Sequence, residues 1–195
     1  MAATAGAVSH SATKRCFLAL VVGVALALRP HASPAQGTFR SANVDAAGQL
    51  RIVRSNAEVV RPAADSGQVG FEQVALSTDH RIVGWVALYP NCCTSYPIPL
   101  TLVLLHSDGR RTVISNELPV WQWAFAADGR SVVIRQAPVH GAAPTFYERR
   151  DVRTGRVLAT AQADSSTREP LPEWVRGAMR KRAPMAPPSN KPMEK

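Results

Sequence analysis

The first 35 residues of this chain contain no acidic residue, and the chain as a whole carries only three cysteines and 6% aromatics. Each shortage excludes something. The apolar run Cys16 to Leu28 is thirteen residues long, against the roughly 20 a bilayer-spanning helix needs. With the basic pair Lys14-Arg15 ahead of it and the small residues Ser33 and Ala35 behind, the run reads as a secretory signal cleaved before Gln36. Cys16 stands at the start of the run instead of after it, so it does not become a lipidated first residue; an uncleaved anchor is the alternative. The expected location is periplasmic or extracellular.

Catalytic signatures are also missing. There is no Gly-x-Ser-x-Gly elbow, no His-Glu-x-x-His and no phosphate-cradling glycine loop, and after the signal only His80, His106 and His140 remain as imidazoles. Adjacent Cys92 and Cys93 lack the spacing of two to four residues that lets thiolates converge on zinc, so no metal and no cofactor are expected. His106, at the end of an apolar strand beside Ser107-Asp108-Gly109, reads as solvent-facing, and His80 as a turn residue.

Charge points away from nucleic acid. The formal balance is +9, but without residues 1–35 it is 20 basic against 14 acidic, or +6. Of that, +4 belongs to residues 168–195, leaving +2 for the body. Scattered arginines on an exported chain fit a solvated surface, with weak contact between the basic tail and anionic lipid as the secondary reading.

What is present is strand signal. Leu50, Ile52 and Arg54 alternate after a glycine turn, Val59-Val60 begins a short strand, and 63–70 reads as loop. Two longer units follow. VALSTDHRIVGWVAL leads through NCCTSYPI to PLTLVLLHSDGRRTVI; WAFAADGRSVVIRQA leads through PVHGAAP to TFYERRDVRTGRVLA. Asp79 and Asp128 are 49 residues apart, and Gly109 and Gly155 are 46 apart. A period near fifty, built of short strands and Asp-Gly turns, is a propeller-blade signature. Asp108-Gly109 and Asp128-Gly129 read as two-residue hairpin connections. Ile82 to Leu88 and Leu100 to Leu105 are apolar on both faces, as central strands are. In Val120 to Phe125, Trp121, Trp123 and Phe125 share one face, which is expected to be buried as core.

The segments FAADGRSVVI and DVRTGRVLA resemble the blade repeat of TolB-type and WD-like β-propellers, over residues 72–162. The string NCCTSYPIPL is similar to one found in small exported bacterial proteins of unknown function. Two units and a fragment are too few for a closed ring of four to eight blades. Either the units pack face to face, or chains associate to complete an assembly.

The expected organisation is a signal over 1–35, an all-β propeller-like antiparallel meander of eight to ten strands over 36–164, a linker with a short helix over 165–182, and a disordered tail over 183–195. In the helix, Pro172 to Arg180, Trp174, Val175, Ala178 and Met179 share one side, with Trp174 docking it.

The cysteine pair is the most specific feature. In an oxidising compartment Cys92 and Cys93 are a disulfide candidate. Bonding each other is awkward, since neighbouring Cα atoms sit about 3.8 Å apart and a disulfide wants about 4.4 Å or more. Such a bond would be strained and easily reduced. The bland alternative is a loop knot or a buried thiol pair. If the two units are equivalent, the cysteine loop and the loop of His140 leave the same end, and Tyr89, Asn91, Cys92, Cys93, Tyr96 and His140 form a common binding face. These readings imply a non-enzymatic exported module that binds protein or envelope components, and the TolB-like resemblance implies the same. A thiol-redox-responsive protein is the alternative, and a hydrolase with unassigned residues a third.

Overall fold

The computed structural model describes residues 37–140, 144–164 and 170–180. Within them the chain makes eleven strands in three antiparallel sheets, then one helix. The first sheet joins β1 (Phe39–Val44), β2 (Leu50–Arg54) and β3 (Val59–Val60). The second runs in sequence order through β4 (Gly70–Leu76), β5 (Ile82–Tyr89), β6 (Ile98–His106) and β7 (Arg111–Ser115). The third repeats that meander through β8 (Val120–Phe125), β9 (Ser131–Gln136), β10 (Thr145–Asp151) and β11 (Val157–Ala163). The all-β class, the two four-stranded units, the leading fragment and the short helix are therefore all present, and no sheet closes on itself. The proposed signal over 1–35 and the tail over 183–195 lie outside the described residues.

Eleven strands exceed the eight to ten expected, and β1 is the addition. Its sequence, FRSANV, buries only Phe39 fully, so its apolar signal is thin. Leu50 and Ile52 of β2 supply the apolar side chains that hold the pair against the second sheet.

The middle sheet is covered on both faces, and the period of two assigns each residue to a side. Ile82, Val86, Leu102, Leu104 and Ile114 face the third sheet, where they meet Val120, Trp123, Val132, Ile134 and Val152. Phe71, Val83, Trp85, Val103 and Leu105 face the first sheet and meet Phe39, Leu50 and Ile52. Uninterrupted apolar strands are what two such cores require. The sheets thus pack face to face.

One contact fixes how the second and third sheets meet. Gly84 leaves a hollow in β5 that the Trp123 ring fills: a Cβ there would stand 2.8 Å from Trp123 Cζ2 and 2.9 Å from Leu104 Cδ2. The indole N–H of Trp123 donates to the carbonyl of Gln73 at 3.0 Å. Gln73 lies where the β4–β5 register shifts, with φ of 52°, and its amide donates back to the carbonyls of Val120 and Trp121. The β8–β9 register shifts between Val120 and Gln122. That shift corrects the expected alternation. Val120 and Trp123 enter the same core, whereas Trp121 stays half-buried and donates its N–H to the Ala137 carbonyl at 2.8 Å. Phe125 packs against the core edge-to-face with Trp123.

The helix α1 (Glu173–Met179) follows Pro172 and lies on β8 and β9. Val175 and Ala178 are its buried residues, while Trp174 is half-buried. The pairing of Gln122 with Arg135 and of Arg135 with Tyr147 puts those three in line across the third sheet, on the side away from Trp123, and they share a cleft with Val175 and Met179. Val175, rather than Trp174, is thus the anchor of α1.

Candidate functional site

The hairpin turns are built around aspartates. Asp79, Asp108, Asp128 and Asp151 each turn an Oδ1 back to accept the main-chain N–H of the residue two places on, which in every case is an arginine: Arg81, Arg110, Arg130 and Arg153. The positive φ expected of these turns falls on the residue after the aspartate or later, never on the aspartate itself. It is carried by His80, Gly109, Gly129 and Gly155. The connections are accordingly longer than two residues: the N–H of His106 reaches the carbonyl of Arg110, and that of Ala126 reaches Ser131. This corrects the two-residue reading. A carboxylate that already satisfies the turn from its own side chain relieves the backbone of the tight two-residue geometry.

His80 occupies the position of Gly129 with φ of 59°, as a turn residue should. It also does something glycine could not. Its Nδ1 lies 2.9 Å from the carbonyl of Phe39, and its own carbonyl accepts the Phe39 N–H at 2.7 Å. Since a carbonyl only accepts, Nδ1 carries the proton, and His80 clamps β1 to the second sheet.

Four of these turns meet at one end of the second and third sheets. Asp79, Arg81, His106, Asp108, Arg110, Arg130, Asp151 and Arg153 line a cavity of about 540 Å³ there. His106 is buried, contrary to the solvent-facing expectation. Its Nδ1 lies 3.3 Å from the Arg110 guanidinium, which can only donate, so Nδ1 is the acceptor and Nε2 bears the proton. Nε2 then donates to Thr112 Oγ1 at 3.0 Å, and Thr112 passes its own proton to the carbonyl of Arg153 at 3.2 Å. Burial, then the nearby Arg110 charge, holds the imidazole below its ordinary pKa, and so neutral. Asp79 is held below the usual carboxylate range first by the Ser77 hydroxyl and then by the Arg81 N–H. Burial pushes Asp151 up, but hydrogen bonds from Thr154 and the Arg153 N–H outweigh it and leave the carboxyl low.

The arginines divide by partnership. Arg110 is held by the Arg153 carbonyl at 2.6 Å and by Thr112 and His106. The guanidinium groups of Arg81, Arg130 and Arg153 make no hydrogen bond or ion pair among the described residues, and all three are exposed at the cavity. The sequence did carry a signal for this rim, the fourfold recurrence of Asp-x-Arg at 79–81, 108–110, 128–130 and 151–153. Only two of the four are Asp-Gly, so the hairpin signal alone does not reveal the set.

The cysteine loop lies elsewhere. β5 and β6 separate it from His106 by the length of a strand, about 25 Å, so His106 and the thiols cannot share a ligand. Cys92 and Cys93 are both free thiols and both exposed, which removes the buried-pair reading. The hydrogen bond that the Cys93 S–H gives to the Cys92 sulfur, then the nearness of the Cys92 charge, pushes the Cys93 thiol up. Asn91 donates to Thr94 Oγ1, which donates to the Tyr96 carbonyl at 2.6 Å, so the loop is tied to itself. Tyr96 and His140 are exposed, and Tyr89 and Asn91 are half-buried. The Asp79 and Gly129 turns share the cavity, so the next connections, at 90–97 and 137–144, leave the far end of their sheets. Residues 141–143 of the His140 loop lie outside the described residues. Among the described residues no three His, Cys, Asp or Glu side chains gather as a metal site, and no helix is long and apolar enough to cross a membrane. No protein-family model matches this chain, and no curated protein matches it.

Proposed function

We infer that this protein is a non-enzymatic binding module that works outside the cytoplasm and engages a component of the cell envelope through the arginine rim. The observation that carries this reading is the convergence of Arg81, Arg110, Arg130 and Arg153, from four separate turns of two sheets, on one cavity. Loops held on the rim of a rigid sheet body are where β proteins place binding residues. The state of His106 supports binding over catalysis. Its Nδ1 accepts from Arg110 and its Nε2 donates to Thr112, so neither nitrogen is available to take a proton from a substrate. The thirteen-residue apolar run ahead of Ser33 and Ala35 supports export.

Affinity capture from the native envelope fraction tests the reading. The unaltered chain is expected to retain a component that the Arg81→Gln/Arg130→Gln double variant releases. Equal recovery by both would remove the rim from the function. The exposure of both thiols favours a second reading, a redox-responsive loop at Cys92 and Cys93. Mass determination before and after reduction addresses it: a gain of two hydrogens supports it, and permanently free thiols remove it.

A further inference from the structure

We propose that the cavity ringed by Arg81, Arg130 and Arg153 binds the phosphate group of its ligand, an assignment that rests on the rim being the binding site. Arg81, Arg130 and Arg153 line one cavity from three different turns, the backbone of each held by the bond between its own N–H and an aspartate. The carboxylates beside them are already committed. Asp79 accepts from Ser77 and Arg81, Asp108 from Arg110, and Asp151 from Thr154 and Arg153. In each of the three the oxygen so engaged is Oδ1, turned back into its own turn.

Each guanidinium offers five N–H donors in a planar fork. One carboxylate accepts one such fork side-on, and a second ligand charge is needed to occupy the others. A phosphate presents three or more oxygens and close to two negative charges, so it can bridge forks arriving from different directions. Arg110 braces the wall. Its guanidinium ties the Arg153 carbonyl to the His106 side chain across the second and third sheets, so the turns that carry the cations are held together before a ligand arrives. The volume, about 540 Å³, admits a phosphorylated small molecule or the headgroup of a phospholipid.

Titration calorimetry of the purified protein with inorganic phosphate and with pyrophosphate, beside flotation on phosphatidylglycerol and phosphatidylcholine vesicles, tests the assignment and separates the two sources. Saturable heat with pyrophosphate stronger than phosphate, weakened about tenfold by Arg81→Gln, Arg130→Gln or Arg153→Gln, supports a soluble phosphate ligand. Flotation only on the anionic vesicles, lost in the same variants and without heat from the free anions, supports a lipid headgroup. Arg176→Gln, on α1 and away from the cavity, makes the same change of charge and should leave both readouts in place. Arg81, Arg130 and Arg153 make no side-chain hydrogen bond among the described residues, and unchanged melting of their variants shows that the fold is intact. Neither heat nor flotation, or binding that survives all three substitutions, overturns the phosphate assignment. The binding reading then stands or falls on the envelope capture alone.

Discussion

Replacing Gly84 by alanine would set a methyl group against the Trp123 ring and 2.9 Å from Leu104 Cδ2, where both neighbours are fully buried. Overpacking of this kind costs about 1–3 kcal/mol, so Gly84→Ala should lower the Tm by several degrees in a thermal melt. Trp123→Ala should cost more, about 3–5 kcal/mol, because it empties the hollow and removes the donor to the Gln73 carbonyl. His106 gives a pH dependence of known sign. Its folded pKa lies below the ordinary value of about 6.5, so the unfolded chain binds its proton more readily. The stability His106 contributes is complete above about pH 6.5 and is lost as pH falls through the lower folded value. Melting across pH 7 to 4 should show this loss, and His106→Gln should flatten the upper part of it. The aspartates held low, Asp79, Asp128 and Asp151, release their contribution only in more acid solution, below about pH 3.8.

At the scale of elements, α1 covers the outer side of the third sheet through Val175 and Ala178. Val175 is 1% exposed, and a carboxylate there would have no partner, so Val175→Asp should cost roughly 2 kcal/mol or more. Ending the chain before residue 170 should lower the Tm and raise the mass seen by light scattering, as the uncovered Gln122, Arg135 and Tyr147 side seeks another surface. Most of this layer could be read from residue order. Strands β5 and β6 announced themselves because both faces are apolar, and Asp-Gly marked the turns. β1 did not, since it has one fully buried side chain, and neither did the register shift at Val120 to Gln122. A bulge is decided by what faces it, here the Gln73 amide, and that partner is 47 residues away.

For the whole molecule, three sheets stacked on two cores leave two distinct ends. One carries the Asp-x-Arg turns and the cavity, the other the cysteine loop. Adjacent cysteines are conspicuous in the sequence, while arginines 81, 110, 130 and 153 become a cluster only once the sheets are stacked. Their spacing was legible; their convergence was not. The most direct measurement is a ¹⁵N–¹H spectrum of the arginine Nε–H groups during titration with pyrophosphate. The Arg81, Arg130 and Arg153 signals should move together and saturate with one apparent Kd, while Arg176 stays in place. Signals that do not move, or a uniform drift of every arginine in proportion to added salt, would contradict a binding site at this rim.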